Sequence, residues 1–202
     1  MDPLYINLER LKSLINKSAE IGAIEGTGLS RLALTDEDKL MRDTFKQWME
    51  NAGLEVRVDD FGNMYGIREG QTDLPPVLIG SHLDTQPKGG RFDGVLGVLS
   101  ALEVIHVLNE HRLETLRPIT VVNFTNEEGA RFEPALLGSA GVAGVFGKEY
   151  VYGRQDRNGT TFEEELKRIG YKGEQNHRLK DIYAFIELHI EQGPILESEG
   201  IS

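Results

Sequence analysis

Residues 76–82 (PVLIGSH) form a short, nearly continuous apolar run, and a Gly-rich loop leads from it into a segment, Gly94 to Leu108, whose apolar residues recur on every side. A strand apolar on both faces needs cover on both, and a helix apolar all round must itself be buried. A sheet held between helical layers meets both demands, so this one stretch limits the chain to an α/β architecture. Two further apolar runs, Ile119 to Phe124 and Ile182 to Ile190, read as strands of the same sheet.

The remaining pattern supplies the other layers. Leu8, Leu11, Leu14, Ile15 and Ile21 recur at helical spacing until Gly22, Gly26 and Gly28 break the run. Thr35 with Asp38 resembles a capping box, and Met41, Phe45, Trp48, Met49 and Ala52 continue a helix that Gly53 stops. Leu54, Val56 and Val58 alternate with polar residues, and after the turn signal Asp60-Phe61-Gly62-Asn63 a second extended piece runs to Arg68, which predicts a hairpin. A short helix is expected within Ala135 to Phe146, and Thr161 with Glu164 opens another to Ile169. The expected fold is a three-layer α/β/α sandwich on a mixed, largely parallel sheet.

Composition narrows the chemistry. The 202 residues carry 22 basic and 33 acidic side chains, a net charge of −11, which argues against nucleic acid or an anionic membrane surface as the main partner. With no Cys, a metal would have to be held by His, Asp and Glu, and neither a thiol nucleophile nor a disulfide framework is available. Met1-Asp2-Pro3-Leu4 shows no leader pattern, and no apolar run approaches the roughly 18 residues that span a bilayer. A cytoplasmic location is expected.

Ligands of open α/β sheets sit beyond the carboxyl ends of the strands, and three strands here end in metal-type residues. The first gives His82-Leu83-Asp84 and then Asp93, flanked by glycines at 89, 90 and 94. Residues i and i+2 of a strand share a face, so Asp84 is expected to hydrogen-bond the second ring nitrogen of His82. The second gives Asn126-Glu127-Glu128-Gly129, and the third His189-Ile190-Glu191-Gln192, which repeats the His-plus-acid spacing. Each has a plainer alternative: a surface pair for His82 and Asp84, a helix start capped by Thr125 and Glu128, a polar edge strand around His189. Their coincidence at one side of one sheet favours a metal site. Ligand counting then places Asp93 between two ions, the first also held by His82 and His189 and the second by Glu128, one ligand short of the usual three. Glu127, beside a ligand without being one, is placed as general base for an attacking water in the hydrolysis of an amide-like bond.

The segments GSHLDTQPKGGRFDGVLGVL (80–99), TNEEGARFEPALLGSAGVAG (125–144) and ELHIEQGPILE (187–197) together resemble the carbamoylase branch of the dinuclear metallopeptidase (M20-type) superfamily. This branch holds N-carbamoyl-L-amino-acid hydrolases, β-ureidopropionases and allantoate amidohydrolases. The resemblance implies His82, Asp93, Glu128 and His189 as ligands of two divalent ions, Zn²⁺ or Mn²⁺, with Co²⁺ or Ni²⁺ as further options. It implies Glu127 as general base, Asp84 as the residue that orients His82, and Gln192 as a substrate contact. The expected reaction cleaves the carbamoyl C–N bond of an N-carbamoyl-L-amino acid to amino acid, ammonia and carbon dioxide. Allantoate hydrolysis and a non-catalytic fragment that keeps the fold are the alternatives. Family members carry a lid and dimerisation domain after the third motif and a further metal-binding His downstream, so residues 1–202 are expected to be the N-terminal portion of the catalytic domain, incomplete at its C-terminus, of an enzyme that is a homodimer at full length. His106, His111 and His177 are read as solvated or core residues rather than replacement ligands.

Overall fold

In the computed structural model, which describes residues 3–201, one sheet of five strands runs in the order β1-β2-β4-β3-β5. Met1, Asp2 and Ser202, and with them the readings of the extreme termini, lie outside the described residues. Strands β1 (Glu55–Val58) and β2 (Met64–Arg68) form the expected antiparallel hairpin, and β2 is also antiparallel to β4 (Ile119–Phe124). Strand β3 (Val77–His82) is parallel to β4 on one side and to β5 (Ala184–Ile186) on the other. The carboxyl ends of β3, β4 and β5 therefore point the same way, which sets the place of the site.

Helix α1 (Leu8–Glu20) starts at Asn7, whose side chain accepts from the Arg10 N–H. Helix α2 (Asp36–Asn51) lies on β1 and β2, and α3 (Val95–Glu110) lies on β3 and β4 with α1 over it. Cover from sheet and helix together explains why α3 is apolar all round. Met41, Phe45, Val98, Leu99, Leu102 and Val121 belong to one core between these helices and the sheet, and α4 (Leu137–Val142), α5 (Lys148–Tyr152) and α6 (Phe162–Arg168) extend it past the β1–β2 turn. The opposite face bears a small cluster of Tyr65, Leu78 and Val122 beside an apolar groove of about 400 Å³. Among the described residues no helix is long and apolar enough to cross a membrane.

Two local expectations change. Thr35 accepts from the Asp38 N–H at 3.3 Å, but the Asp38 carboxylate turns to the Leu34 N–H and Arg42 instead of closing a box, whereas Thr161 and Glu164 close theirs. The third apolar run is a strand only over Ala184–Ile186, the three residues that pair with Val77, Leu78 and Ile79 of β3, and the Glu187 carboxylate just beyond accepts from the Ser81 hydroxyl.

Asp60, at the hairpin turn, ties the sheet to the segment leading into β5. It accepts from Arg178 Nε at 2.6 Å and Nη2 at 2.8 Å, and from Lys148 Nζ at 2.8 Å. Burial alone would raise this carboxyl, but the two cations outweigh it and hold it below the usual aspartate range. A depressed folded value gives stability that is complete above the ordinary aspartate value and is lost as pH falls through the folded one. Asp60→Asn is therefore expected to cost about 1.5–3 kcal/mol at neutral pH and to flatten the acid limb of the stability profile, as read by urea titration at several pH values. An unchanged acid limb counts against this assignment.

Candidate metal centre

His82 closes β3 and is buried. Its Nδ1 lies 2.9 Å from the Asp84 carbonyl oxygen, and His189 Nδ1 lies 2.7 Å from the Ile190 carbonyl oxygen. A carbonyl only accepts, so each Nδ1 carries a proton, which leaves each Nε2 as the nitrogen that can take a metal. These two Nε2 atoms face each other at 3.4 Å. Asp93 Oδ1 stands 3.8 Å from the first and 3.3 Å from the second, buried and without a hydrogen-bond partner among the described residues. The three ligand atoms lie within 4.8 Å of one another. Two imidazole nitrogens and an orphaned carboxylate oxygen turned towards one another form a donor set that suits a divalent ion of the Zn²⁺ or Mn²⁺ kind. The residues present fit a metal.

Close approach makes this convergence possible. Gly94, at φ 66, carries the Asp93 turn against the His82 ring, where a Cβ would stand 2.5 Å from Nδ1. Burial alone would lower the His82 imidazole, but the carboxylates of Asp84, Glu128 and Asp93 raise it on balance.

Asp84 does something other than the spacing predicts. Its carboxylate is 3.9 Å from His82 Nδ1 and instead accepts from the backbone N–H groups of Glu127, at 3.1 Å, and Glu128, at 3.2 Å. Strand geometry ends at His82, so the i+2 rule no longer governs residue 84, and its carbonyl rather than its side chain meets the ring. Asp84 thus links the His82 turn to the loop after β4. No helix starts in that loop, which disposes of the capping alternative for Thr125 and Glu128. Burial pushes the Glu127 carboxyl up to about 7, with the Ser139 hydroxyl opposing and the Asp84 charge adding. A carboxylate poised there suits proton transfer near neutral pH.

Glu128 Oε2 accepts from Gln86 Nε2 at 2.8 Å and Oε1 from Gln192 Nε2 at 3.1 Å. The same Gln192 nitrogen reaches Asp93 Oδ2 at 2.6 Å, so the residue expected on substrate here spans two acids. Glu191 does not support His189; it accepts from the Leu196 N–H at the start of α7 (Ile195–Glu199). His82, Glu127, Glu128, His189 and Gln192 line one cavity. His106 lies on α3, His111 caps it, and His177 turns its Nδ1 to the Val58 carbonyl, so none joins the cluster. Gln86, Ser139 and Glu187 contribute contacts that no spacing rule flags.

Residues 78–202 match the group described as Peptidase family M20/M25/M40. A Rhizobium meliloti protein named N-carbamoyl-L-amino-acid amidohydrolase is 50% identical over 196 residues, which are 96% of this chain and 47% of that protein. An Arabidopsis thaliana protein named ureidoglycolate hydrolase is 36% identical over 210 residues, 98% of this chain and 44% of that protein. A crystal structure of an amidase of the hydantoinase/carbamoylase family from Burkholderia multivorans superposes with a TM-score of 0.94 at 50% identity, over 98% of this chain and 48% of that one. The chain spans about half the length of the curated relatives it matches.

Proposed function

The chain belongs to peptidase family M20/M25/M40, and from that premise we propose that the intact protein hydrolyses the carbamoyl C–N bond of N-carbamoyl-L-amino acids to amino acid, ammonia and carbon dioxide. The observation that carries the chemistry is the convergence of His82 Nε2, His189 Nε2 and the orphaned Asp93 Oδ1. The relatives support the choice of substrate, since 50% identity over nearly the whole chain is to a protein named for that activity.

In this reading His82, Asp93 and His189 would hold one divalent ion, and Glu128, beside them, would help to hold a second. Bound there, such ions polarise the carbamoyl carbonyl and make water acidic enough to attack near neutral pH. Glu127 would take the proton from the attacking water and pass it on to the leaving nitrogen. Asp84 presents Glu127 and Glu128 through their backbone N–H groups, and Gln192 is assigned to the substrate. A homodimer acting in the cytoplasm belongs to the same proposal, supported by the family resemblance.

The test is ammonia release by the purified intact protein. N-Carbamoyl-L-amino acids are expected to be cleaved, activity to vanish on dialysis against a chelator, and Zn²⁺ or Mn²⁺ to restore it. The Arabidopsis relative favours a second reading, a ureido substrate such as ureidoglycolate or allantoate, at lower identity. Ammonia from those compounds alone would select it, and ammonia from none would leave a non-catalytic protein.

A further inference from the structure

The Glu127 carboxylate is met from the side by α4. Ser139 Oγ stands 3.1 Å from Oε1 and 3.0 Å from Oε2. One hydroxyl has one proton, so near-equal distances describe a single donor shared along the carboxylate bisector. Such a contact fixes the direction in which the carboxylate points while leaving both oxygens further lone pairs.

The placing of Ser139 is built, because three consecutive backbone bonds dock the start of α4 on the loop that bears Glu127. The Leu136 N–H donates to the Glu127 carbonyl at 3.1 Å, Leu137 to Asn126 at 3.4 Å and Gly138 to Thr125 at 2.9 Å. Leu136 holds φ 66, a left-handed conformation unusual for a leucine. Gly138 leaves no room for a side chain, since a Cβ would lie 2.3 Å from Asn63 Oδ1 and 2.7 Å from the Thr125 nitrogen. Strain of this kind persists only where the surroundings over-determine it. What it secures is the register that sets the next residue, Ser139, against Glu127.

We propose that Ser139 is a positioning residue whose hydroxyl holds the Glu127 carboxylate in the place and direction from which it serves as base in the cavity that Glu127 shares with His82 and His189. This rests on the reading of Glu127 as the base, and it assigns to Ser139 no contact with substrate or metal.

Two measurements on the intact protein test it. In steady-state kinetics Ser139→Ala is expected to lower kcat by up to about 10²-fold with KM, bound metal and melting temperature unchanged, and Ser139→Thr, which keeps the hydroxyl, to recover most of the loss. In infrared difference spectra Ser139→Ala is expected to shift a carboxylate stretch, and the shift to disappear in a Glu127→Gln background. Wild-type protein inactive on every ureido substrate overturns the functional reading, and the infrared comparison then decides the role of Ser139 alone. A Ser139→Ala protein with wild-type kcat, with the loss in KM or in melting temperature instead, with no rescue by Thr, or with a spectral shift that survives Glu127→Gln overturns the proposal.

Discussion

Replacing Glu127 by Gln is expected to lower kcat by about 10²- to 10⁴-fold while metal content and fold stay as they are. Gln fills the same volume and still offers an amide oxygen to the Ser139 hydroxyl, but it has no basic site to take a proton. The loop keeps its place, because Asp84 grips it through the backbone N–H groups of Glu127 and Glu128, which the substitution does not touch. The hydrogen bonds of the Glu127 side chain go to Ser139, not to His82, Asp93 or His189, so the first ion is expected to bind as before. Stability is expected to hold or rise, since burial and the neighbouring Asp84 charge both disfavour an ionised Glu127. Elemental analysis, a melting curve and single-turnover kinetics on the intact protein check all three statements. Turnover within about tenfold of wild type would remove Glu127 from the role of base.

Much of this site is legible before any coordinates, and the reason is physical. Strands buried on both faces read as continuous apolar runs, so β3 and β4 announce themselves, and the polar residues after such runs gather at one edge of the sheet. His82, Asp93 and His189 could be brought together from sequence on that ground, and the structure does bring them together. The role of Asp84 could not be read, because the two-residue periodicity that assigns it to the ring of His82 expires where β3 ends. The length of β5 was out of reach too, since the strand ends where its pairing with β3 stops, three residues in, and that register leaves no mark in the apolar pattern. Ser139 is the extreme case. Its position depends on the fit of Gly138 against Asn63, 75 residues away, and on a left-handed Leu136. Neither leaves a periodic trace, so the contact that holds the proposed base is visible only in three dimensions.

Asp38→Ala is expected to destabilise the protein by about 3–5 kcal/mol, the largest effect on stability expected of a single side chain outside the site. Asp38 and Arg42, one turn apart on α2, are both fully buried. Asp38 Oδ2 accepts from the Leu34 N–H and from Arg42 Nε, each at 2.8 Å. Arg42 then donates to the Gly62 carbonyl at 2.7 Å and to Thr125 Oγ1 at 3.2 Å, so the pair fastens α2 to the hairpin turn and to the end of β4, two residues before Glu127. Removing the carboxylate strands a guanidinium charge in the core and an N–H without its acceptor, and neither can reach water. Lys46 and Glu50 on the same helix provide the contrast: 3.8 Å apart and about half exposed, they are worth no more than about 0.5 kcal/mol, so Glu50→Ala is expected to be nearly silent. Changing both buried partners, Asp38→Leu with Arg42→Met, is expected to recover much of the loss, because the cost lies in the unpaired charge more than in the missing bond. Urea denaturation of the four proteins separates these outcomes. If Asp38→Ala falls within about 1 kcal/mol of wild type, Arg42 finds water or another anion in the folded state, and the link from α2 to the Glu127 loop does not depend on this pair.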